Sequence, residues 1–155
     1  MDVPRHLYRE QFIPAAPAAV WAFFATPKNL NELTPPGVRF QILGSVPEEM
    51  FAGQIIRYRI SPLPLLWLNW TTEISTVESG ARFIDEQRAG PYKTWHHEHR
   101  FVPESGGVRM FDHVTYEIGW GPLGWLAGKL WVERQLRGIF DYRAQRVTQI
   151  FGAAP

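Results

Sequence analysis

Along the chain the spacing of apolar and polar residues changes three times, and each change marks a different kind of element. Residues His6 to Ile13 read as a first strand. The segment "PAAPAAVWAFFATPKNLNELTPP" then carries helix signals. Pro17 opens a first turn, Val20, Phe23 and Phe24 give an apolar face, and Pro27, Pro35 and Pro36 divide the rest, predicting two short helices. Afterwards the period drops to two. Strands are predicted over Val38–Leu43, Gly53–Ile60, Leu66–Val77, Arg82–Arg88, Tyr92–Val102 and Val108–Ile118, separated by the turn formers "SPLP", "ESGA", "AGP" and "PESGG". Such short links imply an antiparallel meander. From Leu123 to Ile150 the helical period returns. Leu126, Leu130, Leu136, Phe140 and Val147 form its apolar stripe, and Lys129, Glu133, Arg137 and Asp141 form a row of alternating charges.

This order predicts an α+β fold: a curved antiparallel seven-stranded sheet wrapped around a long C-terminal helix, with two short helices after the first strand. A length of 155 residues without repeats or linkers fits one domain over residues 1–155. The aromatic share, 14% with seven Trp and ten Phe, suits a solid core or a hollow one equally. Sixteen basic residues against fifteen acidic ones, with no dense run of either sign, argue against nucleic acid as a partner. Without cysteine there is no disulfide, thiolate nucleophile or Cys-based zinc site. "MDVPRHLYRE" lacks the pattern of a signal peptide, and the longest apolar run is Leu65 to Leu68. The expectation is a cytoplasmic protein with no stable membrane insertion.

Strand parity sorts the unusual block "GPYKTWHHEHRF". Alternation places Trp95, His97, His99 and Phe101 on one face and His96, Glu98 and Arg100 on the other. The aromatic-bounded set should point inward. By the same rule Met110, Asp112, Val114, Tyr116 and Ile118 share a face on the next strand. So do Phe83, Asp85 and Gln87 on the strand before, and Trp70, Thr72 and Ile74 on the long one; Tyr58 joins them from its own strand. An unpaired charge buried there would cost several kcal/mol, comparable with a domain's whole stability, so these groups must be paired, neutral or wetted. Two arrangements satisfy that condition: a closed hydrogen-bond network, or the floor of a cavity between sheet and helix.

The element order, together with "IPAAPAAVWAFFATPKNLNELTPP", "RFIDEQRAGPYKTWHHEHRF", "DHVTYEI" and "LRGIFDYR", resembles the START/Bet v 1-like (SRPBCC) superfamily with its helix-grip fold. It is most similar to the small bacterial branch described as ligand-binding or polyketide cyclase/dehydrase-like. The resemblance runs from about His6 to Ile150; Tyr92 departs from it, standing where the branch often has Phe. It implies a deep cavity that holds an apolar small molecule. It carries over no catalytic set.

Three sharper readings use the same residues. His97 and His99, two apart on a strand, can present both rings to an ion with Asp112 or Asp85 as a third ligand, although pairing to carboxylates or carbonyls explains them as well; no metal or cofactor is assigned. The same His and Asp groups, with Tyr116 as a donor to a developing enolate, suit acid-base cyclisation or dehydration of a polyketide-like substrate. The preferred reading is ligand binding by Tyr58, Trp70, Thr72, Phe83, Gln87, Trp95, His97, His99, Phe101, Asp112 and Tyr116. "GWGPLG" matches a dinucleotide fingerprint, but no second parallel strand follows it, and its plainer role is to turn sheet into helix. Trp120, Trp125 and Trp131, with "PLPLLWLNW", are candidates for an apolar portal, and Arg57 and Arg59 for solvated residues or an anion cap.

Overall fold

The computed structural model of the chain describes residues 3–119 and 121–155, apart from the side chains of 122–127. Strand β1 (Arg5–Ile13) leads to helix α1 (Pro17–Phe24), which begins on a proline and buries Val20 and Phe24. The predicted second helix is instead two 3₁₀ turns, Pro27–Asn29 and Asn31–Leu33. Pro27 at one end and Pro35 at the other leave too few residues for an α-helix to recover its nucleation cost. Six strands follow: β2 (Arg39–Leu43), β3 (Gln54–Leu63), β4 (Leu66–Glu78), β5 (Arg82–Ala89), β6 (Thr94–Glu104) and β7 (Gly107–Glu117). Helix α2 (Gly121–Phe151) completes the chain.

The sheet has the order β1-β7-β6-β5-β4-β3-β2, and its neighbours pair antiparallel throughout. Gly80 and Gly106, at φ 75° and 82°, close the β4–β5 and β6–β7 hairpins in a conformation that L side chains rarely adopt. Register shifts on β3–β4 and twice on β4–β5 bend the long strands, which lets the sheet curl around α2. The β1-to-β2 connection, with α1 and the two 3₁₀ turns, spans from one edge strand to the other.

Packing separates into two apolar clusters. One joins Ile13, Val20, Phe24, Leu33, Phe83 and Phe101 to Val147 near the end of α2. The other joins Leu7, Val114, Tyr116 and Ile118 to Val132, Leu136 and Phe140. The stripe that α2 turns to the sheet is therefore Val132, Leu136, Phe140 and Val147. Leu130, predicted in that stripe, is 73% exposed. It stands six positions before Leu136, which turns it about 120° from that face. Leu126 lies outside the described side chains.

Candidate functional site

A cavity of about 210 Å³ lies between sheet and helix, and α1 and the 3₁₀ turns close part of its wall. Its apolar lining comes from Phe24 and Leu33, from Phe40 and Ile60, and from Leu136, Ile139 and Phe140 on α2. The pleat sets the sheet's contribution. Tyr58 faces Trp70 across β3–β4, and Trp70 packs against Tyr58, Tyr92 and Trp95 with ring centroids 5.6, 5.4 and 5.3 Å apart. The Tyr58 hydroxyl and Thr72 Oγ1 share a hydrogen bond of 3.2 Å. Burial pushes the Tyr58 phenol far above its ordinary range, so it stays neutral.

The predicted inward face of β6 is observed: His97 and His99 are both buried, whereas His96 and Arg100 are exposed. Register places Asp85 opposite His97 and Asp112 opposite His99. The shortest bonds nevertheless run along the diagonals. His99 Nε2 lies 2.6 Å from Asp85 Oδ2, and His97 Nε2 lies 2.8 Å from Asp112 Oδ1. The remaining ring nitrogens face the opposite carboxylates, His97 Nδ1 at 3.4 Å from Asp85 and His99 Nδ1 at 3.3 Å from Asp112. Trp95 Nε1 donates to the other Asp85 oxygen at 3.1 Å. The rings lie 3.6 Å apart at their centroids, and His99 also stacks on Phe83.

Arg143 completes the cluster from α2, with Nη2 3.3 Å from His99 Nδ1 and 3.5 Å from Asp112 Oδ1. Two carboxylates, one guanidinium and one proton beyond those of two neutral imidazoles sum to zero charge, the least costly state for a buried group. Burial together with the neighbouring His99 charge lowers His97 from its ordinary value near 6.5 to about 4. Burial opposes the charge on His99 as well, but hydrogen bonds to Asp112 and Asp85 outweigh it and raise the group. The surroundings thus favour charge on His99 over charge on His97. Burial works against both carboxylates too; His97 and His99 overcome it at Asp85, and Arg143 with the two histidines holds Asp112 well below its usual range.

Asp85, His97 and His99 also bring donor atoms within 4.8 Å of one another, the types of ligand that suit a divalent transition metal. The guanidinium and the shared proton already neutralise that corner, so a dication would have to displace a proton and leave a net positive charge beside Arg143.

Of the sequence-predicted binding residues, Tyr58, Trp70, Thr72, Phe83, Trp95, His97 and His99 line the cavity, as does the acid-base candidate Asp85. Gln87, Phe101, Asp112 and Tyr116 do not. Gln87 clamps the Tyr92 backbone, donating to its carbonyl at 2.7 Å and accepting from its N–H at 3.1 Å. Phe101 belongs to the core around Trp21 and Phe24, Asp112 stands behind the histidines, and Tyr116 packs in the other cluster beside Val132 and Leu136.

Arg143 was missed by sequence reasoning, yet it had a signal: it falls at helical spacing between Phe140 and Val147, a cation on an apolar stripe. In the proposed portal Leu65 is fully exposed and Trp67 and Trp131 are each more than a third exposed. Gln135 Nε2 donates to Pro62 O at 3.3 Å, which brings α2 against that hairpin, and both residues line the cavity. Trp120 and the side chain of Trp125 lie outside the described residues. Arg59 stacks on Trp67 at 5.1 Å and Arg57 is exposed, so neither caps the cavity.

No family model and no curated protein sequence matches the chain. Solved structures do. A protein from Chromobacterium violaceum superposes with a TM-score of 0.72 at 12% identity, over 96% of this chain and 98% of that one. The Zhui aromatase/cyclase from Streptomyces sp. R1128 gives 0.71 at 16% identity, over 94% of this chain and 92% of its own. Major latex-like protein 151 from Panax ginseng gives 0.57 at 14%, over 87% and 96%. At these identities the likeness speaks for the fold. The chain thus shares the helix-grip fold of these structures, the fold expected from its order of elements.

Proposed function

We propose that the protein binds a small apolar or aromatic molecule, lipid-like or polyketide-like in character, in the cavity between the sheet and α2. The observation that carries this reading is the cavity itself: about 210 Å³ with walls that are mostly aromatic and aliphatic, and one charged cluster formed by Asp85, His97, His99 and Arg143. An apolar void of about 150 Å³ already admits a benzene-sized guest. The aromatic wall supplies contact area, and the few polar groups fix orientation.

A cofactor-independent cyclase or dehydratase using the His and Asp pair is the alternative, and the hydrogen bonding weighs against it. Every ring nitrogen of His97 and His99 lies within 3.4 Å of a carboxylate oxygen. A ring nitrogen held against a carboxylate is not placed to take a proton directly from a guest in the cavity.

The test is titration with the neutral fluorescent probe phenylnaphthylamine. Wild type should bind it, and Ile139→Trp, which fills cavity space from α2, should weaken binding by about tenfold or more, a loss of about 1.4 kcal/mol. Equal affinity in a folded Ile139→Trp protein refutes the assignment.

A further inference from the structure

Building on that reading, we infer that the ligand is an apolar monoanion whose charged end meets the Arg143 guanidinium, and that its arrival brings one proton onto the histidine pair.

The first support is the state of Arg143. Its side chain is only 12% exposed, reaches the cavity wall, and lies over the rings of Phe24 and Phe140 at 5.4 and 5.8 Å. Only Nη2 is engaged, and at 3.3 and 3.5 Å its contacts are long. His99 Nδ1 also lies 3.3 Å from Asp112 Oδ1, and when it donates there Nη2 keeps Asp112 alone as its acceptor. Nε and Nη1 have no partner among the described residues. A guanidinium offers five donors in a fork that matches a carboxylate or sulfonate, and a partly buried cation with unused donors favours an anionic acceptor.

The rest of the wall is less demanding. Tyr58 and Thr72 bond each other, Asn29 donates to Phe23 O at 2.9 Å, and Thr34 to Leu30 O at 2.7 Å. Trp70 Nε1 is a buried donor without a partner among the described residues, and it suits an acceptor further along the ligand.

The second support is charge. Around His97 stand Asp85 from β5, His99 from β6, Asp112 from β7 and Arg143 from α2, with the neutral Tyr58 hydroxyl beyond from β3. With one proton this group is neutral. An anion at Arg143 would leave it at minus one in a poorly solvated space, and one further proton restores zero. His97 can take it, because both of its nitrogens already face carboxylate oxygens at 2.8 and 3.4 Å. A neutral guest brings no such uptake.

Calorimetric titration with anilinonaphthalene sulfonate and with phenylnaphthylamine separates the cases, since the two probes share a skeleton and differ in charge. Buffers of unlike ionisation heat count the protons. The sulfonate should bind about tenfold or more tighter, as expected for a charge-assisted hydrogen bond. It should take up about one proton and bind more tightly as pH falls. Arg143→Gln should lower the ratio of the two affinities by about tenfold. Equal binding of both probes, or sulfonate binding without proton uptake in the wild type, overturns the inference while the cavity reading stands. Failure of both probes to bind removes the cavity reading and this inference with it.

Discussion

Asp112→Asn tests whether the buried cluster acts as one unit. The substitution keeps the shape of the side chain and removes its charge. Asp112 Oδ1 lies 2.8 Å from His97 Nε2, 3.3 Å from His99 Nδ1 and 3.5 Å from Arg143 Nη2, on a side chain only 10% exposed. Removing one partner of a buried charged network typically costs about 3 to 5 kcal/mol. The amide oxygen can still accept one bond, worth about 1 kcal/mol, so the expected loss is about 3 kcal/mol. For a chain of this length that corresponds to a fall in Tm of roughly 6 to 12 °C. Urea unfolding followed by tryptophan fluorescence measures it. Asp141→Asn is the control, because the Arg9–Asp141 pair is 3.3 Å long with Asp141 65% exposed, and it should change nothing measurable. A loss below about 1 kcal/mol for Asp112→Asn would mean that water already screens the cluster and would refute the coupled network.

Two further outcomes follow from other parts of the molecule. Because His97 is held down at about 4 from an ordinary value near 6.5, the unfolded chain accepts a proton that the folded chain refuses. That contribution to stability is whole above about 6.5 and is lost as pH falls toward 4, whereas the raised His99 acts in the opposite sense and loses its contribution as pH rises through its folded value. The urea midpoint of His97→Gln should accordingly vary less with pH across that acid window than the wild-type midpoint, and parallel curves would contradict the assignment. At the start of β7, a Cβ added to Gly107 would run into the backbone carbonyl of Ile13 on β1. Gly107→Ala should cost about 2 to 3 kcal/mol in the same urea assay, and a neutral result would show that the β1–β7 register is looser than described.

The inward turn of His97 and His99 was legible because a strand repeats every two residues, and a block bounded by Trp95 and Phe101 leaves only one sensible face for them. Asp85 and Asp112 came out by the same rule, but which carboxylate each ring grips did not, since alternation fixes the face and not the diagonal. Gln87 shows where parity stops helping. A register shift on β4–β5 and the turn after β5 bring it within reach of the Tyr92 backbone, a bond made between residues five apart that no period encodes. The helical half of the site was the least visible. Apolar positions on α2 can be counted, but choosing between Leu130 and Val132 as stripe members depends on where the helix sits on the sheet. Arg143 gains its meaning only from the residues of β6 and β7 that it meets.

The energetics of the cluster bear on why such a site is compatible with a stable sheet. Replacing a buried ionic group by well-packed apolar side chains is often neutral or stabilising by about 1 to 4 kcal/mol, so His97, His99, Asp85, Asp112 and Arg143 are not needed to hold β5, β6 and β7 together. Strand pairing and the two apolar clusters do that. What the five residues add is asymmetry. They give a mostly apolar cavity one charged cluster beside an aromatic wall, and every ring nitrogen in it faces a carboxylate oxygen within 3.4 Å. Charge gathered at one place on an otherwise largely apolar wall makes the two ends of an elongated guest unequal, so binding there would favour one orientation over its reverse.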